Sequence, residues 1–146
     1  MLLLTKIFRF EMAHAIHGYD GDCKNIHGHS YELHVTITSK VEYKHYIPGT
    51  GFFIDFKNIK KLVGDAVVIK FDHKLVLSNK FLAEHPSFKS QNNLVVMDVE
   101  PSAENLLLNI CQMLKGVLPD EVKLIRLKLF ETKDSYAEWI SDEAKN

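Results

Sequence analysis

Four histidines, His14, His17, His27 and His29, fall within 16 positions of a 146-residue chain that holds eight in all. Neutral imidazole is a favoured zinc donor, and a catalytic zinc is held by three protein ligands with a fourth position left for water or substrate. His27-Gly28-His29 supplies two such donors. In extended chain residues i and i+2 point to one face, so both rings can converge on one ion, and Gly28 places no side chain between them. His14, at the end of the preceding segment, is the third candidate. His17 is its rival, although at i+3 in extended chain it faces away from His14 and would serve only if the chain turns there. His34 lies five residues beyond His29, on the opposite face of the same segment, and reads as a surface or hydrogen-bonding residue, as do His45 and His85.

Cys23 sits four residues before His27 in HGYDGDCKN, a stretch with the composition of an irregular loop. Its sulfur could close the metal site as a fourth ligand. It could instead stand free beside a dication and serve as base or nucleophile. Both roles require a deprotonated sulfur. No second cysteine lies nearby, which argues against a closed structural site and for an open, catalytic one. The other cysteine, Cys111, falls inside an amphipathic helical pattern, and no disulfide with Cys23 is expected in a reducing compartment.

These residues need elements to hold them. Leu2 to Ala13 reads as a strand ending at the first histidine, and from Tyr31 the run YELHVTITSKVEY alternates as a half-buried strand does. Pro48, Gly49 and Gly51 mark a turn. FFID then reads as a short strand whose Asp55 caps a helix with Phe56, Ile59, Leu62, Val63, Ala66 and Val67 on one face. Asp72 to Asn93 reads as an extended connection with little regular structure, Val95 to Val99 as a short strand, and Pro101-Ser102 as the opening of a second helix that Gly116 and Pro119 end. Val122 to Thr132 is a strand with apolar character on both faces. The order predicts an α+β domain, a four-stranded, mainly antiparallel sheet with two helices on one face, spanning residues 1–146 as a single unit.

With 18 basic and 19 acidic side chains the chain offers no charge excess to draw nucleic acid. No apolar run reaches the roughly 20 residues of a membrane span, and MLLLTKIF turns charged too early for a signal peptide, so a cytoplasmic location is expected.

Further motifs share the chain with these histidines: FEMAH (10–14), CKNIHGH (23–29), GFFIDF (51–56), FDHKLVL (71–77), PSAENLL (101–107) and LFET (129–132). In order, over residues 7 to 132, they resemble the family of 6-pyruvoyltetrahydropterin synthase and 6-carboxytetrahydropterin synthase. The resemblance implies a tunnelling fold, in which the sheets of three subunits join into a barrel and trimers stack into a homohexamer with active sites between subunits. It implies that His14, His27 and His29 hold Zn2+, that Cys23 and the Asp72-His73 pair move protons, and that Glu131 anchors a pterin ring, a role a carboxylate can fill by accepting two parallel N–H donors. Glu104 is favourable toward the dipole of its helix whatever else it does, and the resemblance leaves it only as a candidate substrate contact. PSAEN stands where the family has P-T-A-E-N.

The substrate so implied is 7,8-dihydroneopterin triphosphate, whose phosphates call for cations, with Lys6, Arg9, Lys24, Lys74, Arg126 and Lys128 among the candidates. The compact C-x-x-x-H-G-H loop and the D-H-K-L segment favour the queuosine-precursor branch, a zinc-dependent lyase that forms 6-carboxy-5,6,7,8-tetrahydropterin and releases acetaldehyde and triphosphate. The alternatives are the 6-pyruvoyl branch, which eliminates triphosphate without carbon loss, and a tunnelling-fold protein that binds zinc or a pterin without turning it over.

Overall fold

Strand alternation sets the architecture. In β1 (Leu4–His14) Phe8, Phe10, Met12 and His14 are buried while Thr5, Ile7, Arg9 and Glu11 are exposed. In β2 (His27–Ser39) Tyr31, Leu33, Val35 and Ile37 take the buried face. The two strands pair antiparallel from Leu4 opposite Ile37 to His14 opposite His27, so their buried faces coincide. The computed structural model describes residues 1–145.

Around this hairpin the sheet has six strands in the order β4-β3-β1-β2-β5-β6. On one side β5 (Val122–Thr132) pairs antiparallel with β2, and β6 (Ser135–Ile140) antiparallel with β5. On the other, β3 (Lys74–Ser78) runs parallel to β1 and β4 (Leu94–Met97) parallel to β3. The expected four-stranded antiparallel sheet is therefore a six-stranded mixed one. Within 72–93, expected to be irregular, lie β3, the helix α3 (Asn79–Glu84) and a 3-10 turn at Pro86–Ser90. The stretch FFID forms no strand: Phe52 is exposed and Ile54 reaches into the core.

The helices follow from caps and spacing. The Asp55 carboxylate accepts from Lys57 N–H to open α1 (Phe56–Val63), which continues through a π turn (Gly64–Val68) into α2 (Ile69–Phe71). Ile59, Val63, Val67 and Phe71 are buried at a strict spacing of four. A regular α-helix would rotate such a series off its face; the wider π turn keeps Phe71 under the sheet. Ser102 accepts from Asn105 N–H and starts α4 (Ala103–Lys115), which buries Leu106, Leu107, Ile110, Cys111 and Leu114. These helices share one core with β1, β2 and β5. The expectation of helices on one face alone fails at α3, which packs Phe81 and Leu82 on Leu75 and Leu77, on the other side of β3 from Val76. Among the described residues no helix is long and apolar enough to cross a membrane.

Candidate metal centre

His14 is the last residue of β1 and His27 the first of β2, directly opposite it in the ladder. His29, two residues on, shares the face of His27. Their ligand atoms lie within 4.8 Å of one another. That suits one ion, since a tetrahedral zinc with bonds of about 2.0–2.1 Å sets its donors about 3.4 Å apart.

The protons of two rings can be assigned from their partners. His14 Nδ1–H donates to the Pro101 carbonyl at 2.6 Å, and His27 Nδ1–H to the Asn25 carbonyl at 2.8 Å. A carbonyl only accepts, so in each neutral ring Nε2 carries the lone pair. These two Nε2 atoms face each other at 3.0 Å. His29 Nε2 is buried and has no hydrogen-bond partner among the described residues. Two opposed lone pairs and an orphaned nitrogen form a donor set that a cation satisfies and a hydrogen bond between neutral rings does not. Burial holds both His14 and His29 below the ordinary histidine range, which favours the neutral, ligating form.

The segment before α4 braces this arrangement. Glu100 accepts from His17 N–H at 2.7 Å, Pro101 supplies the carbonyl for His14, and Asn105 Nδ2 donates to the Glu100 carbonyl at 2.9 Å. The PSAEN motif thus works here through its backbone and caps. Glu104, in the first turn of α4, is exposed. The His17 ring turns toward Glu84, at 3.6 Å, and is not in the cluster.

Glu131 and Tyr31 complete the centre. Glu131 Oε1 lies 3.8 Å from His14 Nε2 and accepts from the Tyr31 hydroxyl at 3.3 Å. Tyr31 extends the i, i+2 series of His27 and His29, a signal that could have placed it beside them. Burial, and then the Glu131 carboxylate, push its phenol far above the usual range, so it remains a donor. Cys23 adds a lesser push in the same direction. Cys23 is exposed on a 3-10 turn (Asp22–Lys24), its carbonyl accepting from Ile16 N–H, and its sulfur is not among the converging ligand atoms. Cys23 and Cys111 are both free.

The Asp72-His73 pair does form. His73 has φ +59°, and this left-handed turn lets its Nδ1 reach Asp72 Oδ1 at 3.0 Å. Glu11 holds both residues: its N–H donates to Asp72 Oδ1 and its carbonyl accepts from His73 N–H. The Glu11 N–H, and then His73, keep the Asp72 carboxyl below the usual range. His73 is 80% exposed and stands outside the three-histidine cluster, across a shallow depression of about 380 Å³ that His29 also lines. On the Glu131 side a groove of about 570 Å³ runs past His29, Tyr31 and Thr132 to Arg9 and Lys133.

Fold and site together define an α+β domain with an open three-histidine centre beside a carboxylate. The profile of the 6-pyruvoyl tetrahydropterin synthase family matches residues 3–141, and the chain belongs to that family. It is 28% identical over 145 residues to the 6-carboxy-5,6,7,8-tetrahydropterin synthase of Haemophilus influenzae, covering 95% of this chain and 99% of that protein. It is 31% identical over 122 residues to the dihydroneopterin monophosphate aldolase of Pyrococcus furiosus, covering 84% and 82%. The solved 6-pyruvoyl tetrahydropterin synthase of Caenorhabditis elegans shares the fold, with a TM-score of 0.67 at 20% identity over 97% of this chain and 96% of that one.

Proposed function

We propose that the protein is a zinc-dependent lyase that converts 7,8-dihydroneopterin triphosphate to 6-carboxy-5,6,7,8-tetrahydropterin, releasing acetaldehyde and triphosphate. The observation that carries this reading is the convergence of three imidazole donors next to the Glu131 carboxylate. Within the family, the near full-length similarity to proteins named 6-carboxy-5,6,7,8-tetrahydropterin synthase supports this branch.

His14, His27 and His29 would hold the zinc, which when bound supplies a Lewis acid for the hydroxyls of the substrate side chain. Glu131 would accept the pterin's ring N–H and exocyclic amine. Cys23 would take a proton from the side chain, and His73, oriented by Asp72, would move a second. Glu104, exposed in the first turn of α4, is a candidate substrate contact. Because His73 stands apart from the cluster within one chain, the reading assigns the Asp72-His73 pair to a neighbouring subunit's site. Edge strands β4 and β6, with no further partner in the described chain, would join subunit sheets into a trimeric or hexameric barrel.

A second reading, aldol cleavage of dihydroneopterin monophosphate, is favoured by the similarity to the Pyrococcus protein. Mass spectrometry of the products from zinc-loaded protein given the triphosphate or the monophosphate, with acetaldehyde trapped in parallel, tests both. A 6-carboxy product with acetaldehyde supports the first reading. A 6-pyruvoyl product moves the chain to that branch, cleavage of the monophosphate alone to the aldolase, and no turnover with zinc bound leaves a pterin or zinc binder.

A further inference from the structure

Glu131 occupies a position with two incompatible uses. Its Oε1 is 3.8 Å from His14 Nε2, close to the separation of two donors on a single ion, so a small swing would make the carboxylate a ligand and fill the open position. The backbone does not prevent this. Phe130 pairs with Tyr136 and Thr132 with Ser135, leaving Glu131 between them at a bulge, where a side chain can be re-aimed.

The Tyr31 hydroxyl opposes the swing. It donates to that same oxygen, Oε1, at 3.3 Å. The phenol itself is fixed: Tyr31 is 1% exposed and stacked on Phe10 with centroids 5.3 Å apart, and Phe10 in turn stacks on Phe71 at 6.0 Å. The rings of His14 and His29 stand edge-on to it at 6.1 and 5.4 Å. A rigid donor therefore holds the carboxylate by the oxygen that faces His14, and Oε2 has no such tie to Tyr31.

We propose that Tyr31 is a positioning residue that keeps Glu131 from coordinating the metal, so that the fourth position and Oε2 both stay available to substrate. The inference rests on the reading of the three histidines as a metal centre. Its test uses full-length protein loaded with cobalt(II), whose visible absorption reports coordination, and azide, a small anion that takes an open position. Wild type, Tyr31→Phe, Glu131→Gln and the double variant are compared, with folding checked by circular dichroism.

Tyr31→Phe is expected to change the absorption before azide is added and to bind azide about 10-fold more weakly, the lower end of outer-shell effects. The double variant is expected to return to wild-type absorption and azide affinity, because no carboxylate remains to close the site. Glu131→Gln alone leaves the cobalt spectrum as in wild type. A Tyr31→Phe protein with wild-type spectrum and azide affinity overturns the inference while the metal centre stands. A changed spectrum in Glu131→Gln also overturns it, since the carboxylate would then already be a ligand, and this arm decides the matter even where Tyr31→Phe does not fold. Failure of the wild type to bind cobalt removes the metal-centre reading and this inference with it.

Discussion

The Nε2 atoms of His14 and His27 face each other across 3.0 Å while the other nitrogen of each ring is fixed by a backbone carbonyl, from Pro101 and Asn25. Neither ring can turn to relieve the opposition without giving up a hydrogen bond. Zinc should therefore stabilise the fold markedly, by about 2.7 kcal/mol at a free concentration 100 times its dissociation constant. Thermal unfolding with zinc and with chelator measures this, and His29→Ala should abolish most of the difference. Equal melting temperatures with and without zinc in the wild type would contradict it.

Acidity should act on the metal-free protein through His14 and His29. Burial lowers both from 6.5, so the folded state stays neutral where the unfolded chain already binds protons. The stability they contribute is present above about pH 6.5 and is lost as pH falls from there through their folded values. Urea midpoints measured downward from about pH 8 should fall below about pH 6.5, and His29→Gln should flatten part of that slope. A slope unchanged by the substitution would argue that other groups carry it.

Replacing Glu131 by Gln keeps the size of the side chain and removes its charge. Pterin affinity, read by fluorescence quenching, should fall by about 10- to 150-fold, the equivalent of the roughly 1.5–3 kcal/mol typical of hydrogen bonds to charged groups. Zinc content should be unchanged, which separates loss of the anchor from damage to the metal centre.

An active site shared between subunits makes a sharper demand. Cys23→Ala and His73→Ala should each be inactive alone. Unfolded together and refolded as mixed oligomers, they should recover about a quarter of wild-type activity, because one site in four then draws both intact residues. No recovery in well-formed mixed oligomers would place Cys23 and His73 in the same chain's site.

The packing beneath the site can be tested apart from its chemistry. Phe71 reaches the sheet through the π turn and closes the Tyr31-Phe10-Phe71 stack. Phe71→Ala should cost about 3–5 kcal/mol in denaturant unfolding. A cost below about 1 kcal/mol would mean the helix realigns to fill the space.

How much of this could be read in the sequence depends on whether a residue's surroundings leave a period. β5 is legible from Val122 to Thr132 because it is long, and the shared face of His27 and His29 follows from strand alternation. β3 is not: in KLVL both faces are covered, Val76 by one core and Leu75 and Leu77 by the other, so no polar alternation marks it. β6 fails for a related reason: Ala137 and Trp139 pack against the core, but Tyr136 and Ile140 are apolar and exposed on its other face, so no clean alternation marks the strand. The roles of Pro101, Asn25 and Glu11 lie in their backbone atoms, which residue type does not announce. Tyr31 opens the alternating run and takes its buried face, but its hydroxyl matters through Glu131, 100 positions away.

The left-handed backbone at His73 carries a conformational cost of about 1–2 kcal/mol that glycine would not. On the proposed role of His73, the position is one where proton transfer and thermal robustness would pull apart. A selection for heat resistance alone would be expected to favour glycine there, at the cost of the imidazole.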